Sequence, residues 1–148
     1  MIELPITREY LKIFFDNLRY EDKLELDKMC LDFSLDEFFK IITSKNSITY
    51  FIADLNLNPI AIGGVVKENA SRAKIWLLCS KNVLFHKKSF LKYISLKLKY
   101  FKNNYSYLYN YIYRSNFPIL NWLKGFGFKW IDLNNPDYKY FYFKRKEE

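Results

Sequence analysis

The sequence predicts a single α/β domain over residues 1–148, with its strands in one mixed sheet. Three observations predict it. Strand-length apolar or alternating runs recur between stretches of helical spacing, in the order β-α-α-β-β-β-α-β-α-β-β. Half of the 148 residues are hydrophobic and a fifth are aromatic, and a chain of this length buries about 68–70% of its unfolded surface. No linker, internal repeat or low-complexity block divides the chain.

The elements follow in order. Ile2–Ile6 is short and apolar and reads as an edge strand. Thr7 can cap a helix that carries Tyr10, Leu11, Ile13, Phe14 and Leu18 on one face. Residues 21–30 read as a further helical stretch. Ser34-Leu-Asp-Glu37 is a capping box, and the helix it opens shows Phe38, Phe39, Ile41 and Ile42 before ending near Lys45. Residues 47–55 and 59–66 read as two strands joined by the turn at 56–58, hence a hairpin. The Gly63-Gly64 pair inside the second strand predicts a bulge or a close backbone approach. Residues 73–80 form an apolar, central strand. Residues 87–103 form an amphipathic helix with Phe90, Leu91, Ile94, Leu98 and Phe101 on its apolar stripe and lysines opposite. Residues 105–113 alternate strictly, with the tyrosines facing one way and Leu108, Asn110 and Ile112 the other. Asn116 opens the next helix with Pro118 in its first turn, and Gly125 or Gly127 ends it. Residues 129–133 and 138–144 close the sheet.

The net charge is +8, yet of the 24 basic residues only five are arginines and 19 are lysines. Lys, Asn, Ile, Tyr and Phe all have A/T-rich codons, so a low-GC genome explains much of the bias. Base reading and bidentate phosphate grip favour Arg, so the lysines read as a solvated surface and nucleic acid is not an expected partner. No apolar run approaches the ~18 residues of a membrane helix, and "MIELPITREY" lacks the basic and apolar regions of a signal peptide. Cys30 and Cys79 have no metal-like or redox-like spacing and read as reduced, mostly buried thiols of a cytoplasmic protein. No metal site is expected, and no hydrolase, phosphate-loop or zinc motif is present.

The element order resembles the GNAT acyltransferase fold. The most specific match is "RSNFPILNWLKGFGFKW", which places Asn116 at the start of the last helix and Gly127-Phe128 about twelve residues on. Over 59–131, "NPIAIGG", "WLLCS", "FHKKSFLK", "YLYNYIYRSN" and "WLKGFGF" resemble a phage protein family. That family has a GNAT-like domain and is related to an internal virion protein of short-tailed phages. The resemblance implies a mixed, mostly antiparallel sheet flanked by four to five helices, with strands 73–80 and 105–113 splaying into a V. It implies acetyl-CoA or another acyl-CoA as co-substrate and an amine as acceptor. The pantetheine arm would pair with the edge of 73–80, an amide near Leu78, Cys79 and Ser80 would polarise the acyl carbonyl, and Asn116 would belong to the same site. The helix start at His86, Lys87, Lys88 and Ser89 would meet the pyrophosphate.

The chain departs from that pattern twice. The R/Q-x-x-G-x-G/A turn before the helix is replaced by "VLFHKKSF", without glycine, leaving Lys87 and Lys88 to supply charge and Ser89 a hydroxyl. The tyrosine that many such enzymes place seven residues after the asparagine is Leu123 here, which cannot protonate a thiolate. Tyr109 and Tyr111 are the places to look for a surviving acid, and Glu68 for a base acting through water. His86 could pair with phosphate or act as a base; its alternative reading is a polar loop residue. Asn110, the polar residue on an apolar face, reads as a satisfied structural amide or as a group facing the acyl site. Two functions stand. One is an acyl-CoA-dependent N-acyltransferase in the host cytoplasm. The other is a non-catalytic internal virion or assembly protein that reuses the fold and has virion proteins as partners.

Overall fold

A computed structural model describes residues 1–29, 34–113 and 116–146. The chain opens with β1 (Ile2–Glu3), followed by α1 (Arg8–Asp16), α2 (Tyr20–Met29) and α3 (Leu35–Ile42). Then come β2 (Ser47–Ala53), β3 (Pro59–Lys67) and β4 (Arg72–Cys79). After a short 3-10 turn at Lys81–Phe85 follow α4 (Lys87–Asn104), β5 (Tyr107–Tyr113), α5 (Phe117–Gly125), β6 (Lys129–Asp132) and β7 (Tyr138–Lys144). Cys30 and Arg114 lie outside the described residues.

The seven strands form one sheet in the order β1-β2-β3-β4-β5-β7-β6. All pairings are antiparallel except β4 with β5. One face carries α4 and α5 over Ile60, Val65, Ile75, Phe90, Phe101, Leu108 and Ile112. The other carries α1–α3 over Leu11, Phe14, Phe51, Ile62 and Leu78. Each side chain alternates between these layers because a strand sends successive residues to opposite faces.

Local signals act largely as the sequence predicts. Thr7 Oγ1 accepts from the Tyr10 amide at 3.2 Å, and Ser34 Oγ from the Glu37 amide at 3.4 Å. Leu11, Phe14 and Leu18 are buried as expected, whereas Ile13 and Ile41, assigned to apolar faces, are 48% and 55% exposed. The glycine pair makes the close approach and not the bulge: β2 and β3 stay in register through Tyr50↔Gly63 and Thr49↔Gly64. A Cβ on Gly64, at φ 156°, would lie 1.9 Å from the Ile48 carbonyl oxygen. The register shift falls instead between Ile52 and Ala53.

Candidate active site

The parallel pairing of β4 with β5 covers only Arg72↔Tyr107, Ala73↔Leu108 and Lys74↔Tyr109. Beyond Lys74 the two strands splay, as the V predicted between 73–80 and 105–113 requires. The wedge is held open by polar bonds at both ends. Near its apex Asn110 Nδ2 donates to the Ile75 carbonyl at 2.8 Å. At its mouth the Arg19 amide donates to the Cys79 carbonyl at 2.9 Å, and the Cys79 amide donates to Asp22 Oδ2 at 3.1 Å. The Ser80 amide pairs with Ile60 at 2.8 Å, so alternation turns the backbone groups of Leu78 toward β3 and those of Leu77 into the wedge. The expectation of an amide near Leu78, Cys79 and Ser80 is therefore narrowed: the Cys79 and Ser80 amides are engaged, and Leu77, just before them, is the gap-facing position. Ser80 Oγ is used locally, donating to Pro59 O at 2.7 Å.

A cavity of about 430 Å³ occupies the wedge. Leu26, Phe38 and Trp76 line it on the side of α2 and α3, and Ile94, Leu98, Trp122 and Leu123 on the side of α4 and α5. It thus reaches both faces of the sheet through the gap. The polar groups on its wall include Glu25, Asn110, Tyr111 and Asn116.

Three of the four buried polar residues among the described residues, Arg19, Asp22 and Asn116, meet at the α2 end of this cavity, a cluster the sequence does not announce. Arg19 is 4% exposed, Asp22 0% and Asn116 1%. Arg19 Nε donates to Asp22 Oδ2 at 2.9 Å, and Arg19 Nη2 to Asn116 Oδ1 at 2.8 Å. Asn116 Nδ2 donates to Glu25 Oε2 at 2.7 Å and to Asp22 Oδ1 at 3.3 Å. Desolvation works against the Arg19 charge, but Asp22, helped by Cys79 and Glu21, tips the balance and holds the guanidinium protonated. Burial pushes Glu25 from 4.5 up to about 7, opposed by its bond from Asn116 and reinforced by the Asp22 charge. The sequence signal was the spacing Arg19, Asp22, Glu25: residues three apart share one helix face. Such a row ordinarily reads as a solvated stripe, and nothing local reveals that β4 and α5 cover it.

Asn116 sits at the cap position of α5, with Pro118 in the first turn as predicted, but its side chain makes no capping bond. The capping role is corrected: the amide is spent on Arg19, Asp22 and Glu25. Tyr109 and Glu68 are also corrected as catalytic candidates. The Tyr109 hydroxyl donates to Glu68, Glu68 pairs with Arg72 at 3.0 Å, and neither is on the cavity wall. Tyr111 is on the wall and 43% exposed. Cys79 is fully buried, and burial drives its thiol far above the usual range. His86 begins α4 without a side-chain cap bond; its Nε2 lies 3.6 Å from Asp54 Oδ2. Lys87, Lys88 and Ser89 are exposed at that helix start.

This architecture is that of the GNAT acetyltransferases. Spermidine N-acetyltransferase SpeG (F149A mutant) from Vibrio cholerae superimposes with a TM-score of 0.65 at 16% identity, over 97% of this chain and 95% of that one. The GNAT domain of PAT from S. lividans gives 0.67 at 13% identity, over 96% and 89%. Identities this low establish the fold. No family model matches the sequence, and no curated protein matches it.

Proposed function

We propose that the chain is a GNAT-type N-acyltransferase that moves an acyl group from acyl-CoA to an amine. The observation that carries this reading is the cavity through the β4–β5 wedge. Two substrates can meet in it from opposite faces of the sheet, which is the arrangement direct transfer needs.

The residues present suit a CoA thioester. The gap-facing edge at Leu77 can pair with an amide-bearing arm as an added strand would. The amides that open α4 have no side-chain cap, and they stand beside exposed Lys87 and Lys88, so the helix start can receive phosphate. Asp54 opposes this, but four nitrogens absorb its charge. The amides of Asn56 and Asn58 donate to it at 2.9 and 3.0 Å, and the side chains of Asn82 and Asn58 at 3.0 and 3.4 Å. Bound there, acyl-CoA supplies the activated carbonyl. Leu77 and the α4 amides would hold it, the apolar wall would exclude water, and Tyr111 is one of the wall's hydroxyls that could donate a proton. Leu123, on the wall at the place of the usual tyrosine, only packs.

The second reading, a non-catalytic virion or assembly protein, is favoured by the missing glycine turn and the aliphatic side chain at 123. One assay separates the two: purified chain, acetyl-CoA and a panel of primary amines, with thiol release followed over time. Amine-dependent release supports the enzyme. A folded chain that releases no thiol above hydrolysis leaves the structural role.

A further inference from the structure

We propose that Glu25 is the catalytic base of this site, accepting the proton of an incoming primary ammonium whose carbon body is apolar or aromatic. The inference rests on the acyltransfer reading and deepens it.

The geometry is the first argument. Glu25 reaches the cavity wall from α2, and Leu26, Phe38, Trp76 and Tyr111 line the same cavity. That wall is mostly apolar, and Glu25 is one of two carboxylates on it, with Glu37 the other, so it offers an amine a charged contact among hydrophobic side chains. Charge is the second argument. Arg19 is already matched by Asp22 at 2.9 Å, so an ionised Glu25 is an excess negative charge in a poorly hydrated place. An ammonium group supplies the missing partner. Position is the third. Asn116 Nδ2 fixes Oε2 at 2.7 Å, and the Tyr113 backbone amide also bonds the carboxylate. Asn116 is thus a positioning residue, itself clamped by Arg19.

The step is a simple proton transfer. An N–H bond of the ammonium breaks toward a Glu25 oxygen, an O–H bond forms, and the lone pair stays on nitrogen, ready to attack a carbonyl carbon. A base works best with a pKa near the working pH, and burial with the Asp22 charge brings Glu25 there. The charged or titratable groups that face it are Asp22 and Arg19 from the start of α2. Glu37 from α3, Lys74 from β4, Tyr111 from β5, and Tyr93 and Lys97 from α4 line the same cavity. Asn116 and the Tyr113 amide are neutral donors.

The test uses the whole chain, acetyl-CoA and 2-phenylethylamine, with wild type and Glu25→Gln compared from pH 5.5 to 9. Gln keeps an acceptor for Asn116, and a thermal melt verifies that the variant folds. We expect kcat/KM for the amine to fall at least tenfold at neutral pH. The rise of the profile through about 7 should vanish while KM for acetyl-CoA is unchanged. In parallel, carbon NMR of the glutamate carboxyls should place the Glu25 midpoint near neutrality, and added 2-phenylethylamine should shift it downward. An unaltered profile in Glu25→Gln, or a Glu25 carboxyl titrating in the ordinary range, overturns the proposal. Should wild type transfer to no amine, the acyltransfer reading fails; a midpoint that 2-phenylethylamine leaves in place then overturns the Glu25 proposal as well.

Discussion

Arg19 Nη2 and Asn116 Oδ1 meet at 2.8 Å across 97 residues of sequence, locking the start of α2 to the start of α5 over the mouth of the wedge. Both groups are almost wholly buried, so the bond is made where water cannot replace it. A buried donor left without a partner costs about 1–3 kcal/mol, more when charged.

Asn116→Asp separates this network role from helix capping. Asp caps a helix as well as Asn does, so a capping role predicts no loss. In the network the new carboxylate replaces a donor and faces Asp22 and Glu25. Chemical denaturation at neutral pH should show a loss of about 1–3 kcal/mol, the range for a buried unpaired group. Equal stability of the two proteins would remove Asn116 from the network.

Arg19→Met tests the charge balance. It leaves Asp22 buried beside the half-charged Glu25 without a cation. Breaking a buried pair by removing one partner costs about 3–5 kcal/mol. A further Asp22→Asn change should return part of it, and a double-mutant cycle measures the coupling. A coupling near zero would show that the two side chains do not depend on each other.

Glu25 makes stability pH-dependent in a definite direction. Its folded pKa lies above its ordinary 4.5, at about 7, so the folded state holds the proton more tightly. Its contribution is therefore most favourable at low pH and falls as pH rises through that window. Glu25→Gln removes the penalty, so its stability relative to wild type should grow between pH 5 and pH 8, by on the order of 1–3 kcal/mol at most. Melting curves at the two pH values check it; a constant difference would contradict the shifted carboxyl.

Two glycines should respond oppositely to alanine. Gly64→Ala drives a Cβ to 1.9 Å from the Ile48 carbonyl oxygen, an overpacking that costs about 3 kcal/mol or more. Gly125, the last residue of α5, has nothing within 4 Å of an added Cβ. Gly125→Ala should stabilise by about 0.4–1 kcal/mol by restricting the unfolded chain. Thermal melts that rank the two the other way would refute the packing around β3.

The fold was legible because its signals are local. Alternation in 105–113, the apolar stripe of α4, the Thr7 and Ser34 caps and the Gly63-Gly64 close approach each report on a few neighbouring residues. The site was legible only in outline. The resemblance implies the wedge between β4 and β5, and the sequence marks out Asn110 and Tyr111, both of which lie on the cavity wall. Asn116 was singled out for the wrong work, because a capping signal is local while its true partners lie about a hundred residues away in sequence. Tyr109 and Glu68 were plausible one at a time, but no sequence pattern reveals that they satisfy each other. Glu25 stayed hidden because its burial is a tertiary event.

The central claim is that the wedge and the α4 start bind an acyl-CoA, and calorimetric titration with acetyl-CoA tests it most directly. The account predicts saturable binding at one site per chain. With no glycine cradle, much of the phosphate attraction would come from Lys87 and Lys88, whose charges would be exposed and screened by salt. Affinity should therefore fall steeply with ionic strength. Lys87→Ala with Lys88→Ala should weaken it at least tenfold, about 1.4 kcal/mol. Tight binding indifferent to salt and to both substitutions would place the phosphates on backbone amides alone. No heat of binding at millimolar acetyl-CoA would contradict the claim outright.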